Sequence, residues 1–111
     1  MPPVVLQQGS GVVKIAVTGQ AISLGSIFPN GAQNVSRVDV QALSGNVNSI
    51  IVGASQNIAT DQSRGGIILN VYGNNQVDHY TIELLTCIQV IFINGTEGDG
   101  VSFNYWIGDR N

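Results

Sequence analysis

The chain has 111 residues, 43% of them apolar and only 10% charged, and seven acidic residues against four basic ones give a net charge of −3. A chain of this length makes one domain and buries roughly two-thirds of the surface its unfolded form would expose. The apolar fraction excludes a disordered polymer, and the lack of any apolar run near ~20 residues excludes a membrane-spanning helix. Lys14, Arg37, Arg64 and Arg110 are scattered rather than clustered, which argues against a nucleic-acid interface built on a basic stripe.

Residues 1–10 read as an extended arm. Pro2 and Pro3 impose an extended backbone, and Val4, Val5 and Leu6 behind them prefer burial, either on the domain's own sheet or on a neighbouring subunit. Residues 11–111 form the domain proper. Within it, β-type segments are expected over 11–18, 21–24, 37–43, 49–53, 66–72, 78–84, 87–94 and 101–107, and no useful stretch carries the three-and-four spacing of a helix. In the third segment Val38, Val40 and Ala42 alternate with Arg37, Asp39 and Gln41; in the sixth Tyr80, Ile82 and Leu84 alternate with His79, Thr81 and Glu83. Both are patterned as half-buried strands. Pro29-Asn30-Gly31, Ser44-Gly45-Asn46, Arg64-Gly65-Gly66, Gly73-Asn74-Asn75 and Asn94-Gly95 punctuate the series with residues that accept the positive φ of tight turns. The longest stretch without a strand pattern, residues 53–64, is a polar loop with Ile58 as its apolar anchor. About eight short strands with such punctuation predict a single-domain, all-β antiparallel sandwich of jelly-roll type, preceded by the arm.

The last quarter of the chain carries the most apolar surface. Residues 87–94 and 101–107 are two apolar β-type runs joined by a Gly-rich turn, the pattern of a hairpin. Val101, Phe103, Tyr105 and Ile107 alternate with Ser102, Asn104 and Trp106, so one face of the final run meets a core. In the preceding run Ile88, Val90 and Phe92 occupy one face while Ile91 and Ile93 occupy the other. A strand apolar on both faces is covered twice, by its own sandwich or by a partner. Trp106, opposite the inward aromatics, has three open readings: a sugar-stacking platform, an interface anchor, or a residue covered by the arm.

Little in the sequence carries reaction chemistry. The single histidine, His79, has no second histidine to join it in a metal site, and the single cysteine, Cys87, lies in an apolar run as a small core residue. Glu97 and Asp99 lack the regular acidic spacing of a calcium loop and are read as turn geometry. Asn34-Val35-Ser36 and Asn94-Gly95-Thr96 match the glycosylation triplet, a pattern that arises by chance in Asn-rich chains. No catalytic, cofactor-binding or metal-binding residue is assigned. The low charge leaves the surface to Asn, Gln, Ser, Thr and Gly, and such a surface resists association poorly, as suits a subunit of an assembly; a neutral secreted β-domain is the plainer alternative.

The stretch VDVQALSGNVNSIIVG at residues 38–53, the Gly66-Ile67-Ile68-Leu69 turn and the closing VSFNYWIGD resemble small virion proteins of tailed bacteriophages, β-sandwich domains that decorate heads or tails. The resemblance spans about two-thirds of the chain and rests on structural residues. It implies a non-enzymatic capsid decoration or cement protein, on the outer head surface in preference to the tail, that bridges capsomers as a homo-oligomer, a trimer in preference to a dimer. The implied partners are the major capsid protein or another virion protein, with neither nucleic acid nor membrane. The residues assigned to the contact are Val4, Val5 and Leu6 of the arm, Ile91, Ile93 and Trp106. The alternative is a carbohydrate- or receptor-binding sandwich on head or tail that uses Trp106 and loop Asn and Asp residues.

Overall fold

The computed structural model describes residues 7–27, 35–72, 76–86 and 88–107. Val4, Val5, Leu6 and Cys87 lie outside them. Among the described residues there are eight strands: β1 (Gln7–Lys14), β2 (Ile22–Ser23), β3 (Val35–Ala42), β4 (Ile50–Gly53), β5 (Ile67–Leu69), β6 (His79–Thr86), β7 (Phe92–Asn94) and β8 (Gly100–Ile107). They form two four-stranded antiparallel sheets, β1-β8-β3-β6 and β2-β7-β4-β5. The all-β sandwich expected from the periodicity is the observed fold. β1 begins at Gln7, inside the ten residues read as an arm: Gln7 to Ser10 pair with Ile107 to Asn104 of β8.

The first sheet is built by alternation. Across its inner face the registers align Gly9, Tyr105, Val38 and Ile82 in one row and Gly11, Phe103, Val40 and Tyr80 in the next. The glycines make room for the aromatics. A Cβ on Gly9 would overlap the Tyr105 ring, and one on Gly11 would lie 2.5 Å from Ile27 Cδ1 and 2.9 Å from the Phe103 ring. A bulge between Val35 and Arg37 shifts the register of β3. It turns both Val35 and Ser36 inward, and the Ser36 hydroxyl is satisfied by donating to the Trp106 carbonyl at 3.2 Å.

The second sheet is shorter and its interior merges with that of the first. Ile50, Val52, Leu69 and Ile93 pack with Val13, Val38, Val40, Val101 and Phe103 in one cluster. The chain between 87 and 107 corrects two expectations. Residues 88–90 form a 3-10 turn, so the strand in this run is only Phe92–Asn94, and the turn throws Ile88 and Ile91 inward while Val90 stays exposed. Nor is the closing pair a hairpin, since β7 pairs with β2 and β4 whereas β8 pairs with β1 and β3. The turn at 95–99 carries the chain from one sheet to the other. Two inward-facing strands in opposite sheets account for the excess of apolar residues that a solvent-exposed hairpin would not need.

Candidate interaction surfaces

Three regions outside the core place side chains where they can act, beginning with the outer face of the first sheet. Its registers set Gln8, Trp106, Arg37 and Glu83 in one row, Ser10, Asn104, Asp39 and Thr81 in the next, and Val12, Ser102, Gln41 and His79 in the third. Arg37 Nε donates to Asp39 Oδ1 at 3.2 Å, the Thr81 hydroxyl donates to the same oxygen at 2.7 Å, and the Arg37 guanidinium lies 4.9 Å from the centroid of the Trp106 ring. Trp106 is therefore outward-facing, as its alternation requires, and half-buried beneath an arginine. Beside this cluster a trough of about 350 Å³ runs between Ser10, Asp39, Gln41, His79, Ser102 and Asn104.

A second region is the open side of the sandwich, where β6 ends one sheet and β5 ends the other. Between them lies an apolar groove of about 340 Å³ floored by Val52 and Ile91 and rimmed by Ile67, Tyr80, Ile82 and Val90. Ile67, Tyr80 and Val90 remain 41%, 40% and 38% exposed, although Tyr80 and Ile82 sit in inner-face registers. The first sheet carries its inner face to this edge, and the three-residue β5 does not cover it. Sequence reasoning did not single out this groove. The adjacent pair Ile67-Ile68, which leaves no polar face on β5, was its visible trace.

Ile91 and Ile93, assigned to a partner contact on sequence grounds, are core residues with 3% and 0% exposure. Their side chains pack against the domain's own interior, and that assignment is corrected. The arm residues Val4, Val5 and Leu6 lie outside the described residues.

The turn acids and polar loops make the third region. Asp99 is 4% exposed, and its two carboxylate oxygens accept the Val47 and Asn48 N–H groups at 2.8 and 2.9 Å. Asn46 brackets the same site, donating through Nδ2 to the Gly100 carbonyl and accepting the Gly100 N–H. Asn94, 1% exposed, donates to the Gly19 and Ile58 carbonyls at 3.1 and 2.9 Å and accepts the Gly95 N–H. It is a buried structural amide, inaccessible to a glycosylating enzyme in the folded domain. Asp78 accepts the Asn70 N–H and the Tyr72 hydroxyl. The Ser63 hydroxyl and then the Ser63 N–H, the latter at 2.8 Å, hold the Asp61 carboxyl below its ordinary range. Among the described residues, no three His, Cys, Asp or Glu side chains are grouped so as to hold a metal ion, and no helix is long and apolar enough to cross a membrane. No protein-family model, curated protein or solved structure matches this chain.

Proposed function

We propose that this chain is a non-enzymatic structural protein of a bacteriophage virion, a decoration or cement subunit that binds the outer head shell as a homo-oligomer and bridges neighbouring capsomers. The observation that carries the reading is the apolar rim of Ile67, Tyr80 and Val90, left open on a surface with very few charges. Exposed apolar groups gathered at one groove mark an interaction site, and each contact they make is multiplied over the many copies on a shell. The strand order 1-8-3-6 facing 2-7-4-5 supports it by analogy. We read that order as a jelly roll, an architecture that viral capsid and lectin domains share, although an architecture alone does not assign an activity. The resemblance of residues 38–53, 66–69 and 101–109 to tailed-phage virion proteins supports the viral member of that pair. The carboxylates fit a non-enzymatic role: Asp39, Asp78 and Asp99 are each engaged in hydrogen bonds that shape a strand or turn.

The full chain, added to phage heads lacking decoration, should bind saturably and raise the temperature at which the heads rupture. Absence of binding to such heads rejects the proposal. The second reading, a glycan-binding face, is favoured by the trough beside Asp39, Gln41, His79 and Asn104 with Trp106 next to it. It ranks second because Arg37 already stacks over the Trp106 ring, and a sugar would have to displace it. Binding to a glycan array that is lost on Trp106→Ala, together with silence toward heads, would reverse the order.

A further inference from the structure

We infer that the apolar groove between β5 and β6 is the seat of residues Val4, Val5 and Leu6 from a second copy of this chain, so that the oligomer is held by exchanged arms. The inference rests on the homo-oligomer in the proposed function and not on the shell.

The groove is apolar in floor and rim, and β5 and β6 each end their sheet, so both present a strand edge beside it. An edge flanking an apolar slot accepts an extended apolar segment, which adds backbone hydrogen bonds while its side chains fill the slot. Within the sequence, residues 1–6 supply such a segment: two prolines that favour an extended backbone, three aliphatic residues and no charged side chain. The volume, about 340 Å³, suits a few aliphatic side chains and stands near the lower end of the roughly 300–1,000 Å³ of ligand sites.

Reach then decides which copy supplies the arm. β1 lies at one edge of its sheet and β6 at the other, with β8 and β3 between them. Ile82, on the groove rim, is in register with Gly9 through Val38 and Tyr105, three strand spacings or about 14 Å away. Gln7 is two residues further along, which lengthens the diagonal to about 16 Å. Val4, three residues before Gln7, extends at most about 10 Å from it, and Val5 and Leu6 less. The straight line from Gln7 to the groove also runs along the packed inner face of the sheet, so an arm outside the core needs a longer path. That reach falls short of the groove of the same copy. An arm that leaves one copy and enters the next makes a heterologous contact that closes as a ring such as a trimer, whereas two copies that exchange arms reciprocally form an isologous dimer.

The test is sedimentation of the full chain with two variants, Val5→Asp in the arm and Ile67→Asp on the groove rim. The wild type should self-associate. Each variant alone should associate at least about tenfold more weakly and sediment as the 11.7 kDa monomer. An equimolar mixture should regain mixed pairs, because the Ile67→Asp copy keeps an intact arm and the Val5→Asp copy an intact groove. Should Ile67→Asp not retain the strand signature of the wild type by circular dichroism, Val90→Asp on the facing rim takes its place. A wild type that stays monomeric, an oligomer that survives deletion of residues 1–6, or a mixture that stays monomeric overturns the inference. A monomer whose groove becomes protected from hydrogen exchange only on empty heads also overturns it, assigns the groove to a shell protein, and leaves standing the shell binding of the proposed function but not its homo-oligomer.

Discussion

The two sheets of this domain face away from the core in opposite manners. The outer face of β1-β8-β3-β6 is open and bears Gln8, Ser10, Asn104, Asp39, Thr81 and Gln41. The outer face of β2-β7-β4-β5 is roofed by residues 54–66: Ile58 is buried at 3% exposure, Ile51 at 1%, and Asn94 on the same face donates to the Ile58 carbonyl. Strand length explains the difference. Each strand of the first sheet has eight residues, whereas those of the second have two, four, three and three. Eight-residue ladders hold register by alternation alone. Ladders of two to four residues rely on what is packed against them, and here that is a loop whose close approach needs glycine. A Cβ on Gly66, at φ +103°, would meet Ile51 Cγ2 at 2.6 Å, and one on Gly53 would meet Ile58 Cγ2 at 2.8 Å. Regular pairing stabilises one sheet, and tertiary covering stabilises the other.

The sharpest break in that contrast is a cavity in the short sheet. Ile93→Ala removes a fully buried side chain from β7 and should lower stability by about 2–5 kcal/mol, against little change for Ile67→Ala at the exposed rim. Thermal unfolding of the two variants side by side checks this. If Ile93→Ala instead left the melting temperature unchanged and weakened self-association, the residue would belong to an interface after all. Next in size is Asp99→Ala. It removes the acceptors of the Val47 and Asn48 N–H groups at the crossing between sheets, and the loss of hydrogen bonds to a carboxylate should cost about 1.5–3 kcal/mol by denaturant titration.

Those two positions also show how far the sequence could be read. Alternation in β3, β6 and β8 announced the long sheet nearly residue by residue, and the outward Trp106 followed from the same period. Ile93 was misassigned because a two-residue period was carried through residues 88–90, where the backbone is a 3-10 turn and the face count restarts. Asp99 was legible as turn geometry, but its partners, 52 and 51 residues earlier, were not. A Gly-rich turn looks alike whether it closes a hairpin or crosses a sandwich, so the choice of sheet for β7 lay in contacts distant in the chain. The groove escaped for a related reason: it is the gap between two sheet edges, and no single segment contains it.

On the open face the expected effects are small. Arg37 pairs with Asp39 across partly exposed side chains and stacks on Trp106, and exposed ion pairs and cation–π contacts contribute about 0.2–1 kcal/mol each. Arg37→Ala should therefore shift the melting temperature by only a few degrees while changing the fluorescence of Trp106, the single tryptophan. A loss as large as that of Ile93→Ala would mean that the face of the long sheet is a structural support, and the contrast between the sheets would fail.

The smallest effect falls on the roof of the short sheet, and it separates two ways of holding that loop. Residues 54–66 are fixed from below by Ile58 and from within by local turns, of which the Asp61–Ser63 pair is one. The hydroxyl of Ser63, and after it the N–H, holds the Asp61 carboxyl below its ordinary value of 3.8. A carboxyl lowered on folding contributes stability that is present above its unfolded pKa and is lost as pH falls through the folded one, so the turn should loosen only in acid. Asp61 is fully exposed, which keeps the effect on global stability slight. Ser63→Ala should raise the Asp61 midpoint, followed by carboxyl-carbon NMR, with Ile58 still buried and the melting temperature at neutral pH unchanged. If Ile58 were released together with the turn, the loop would owe its place to its own local bonds. The short sheet would then be covered by an independently folded turn rather than by the anchor that its apolar outer face provides.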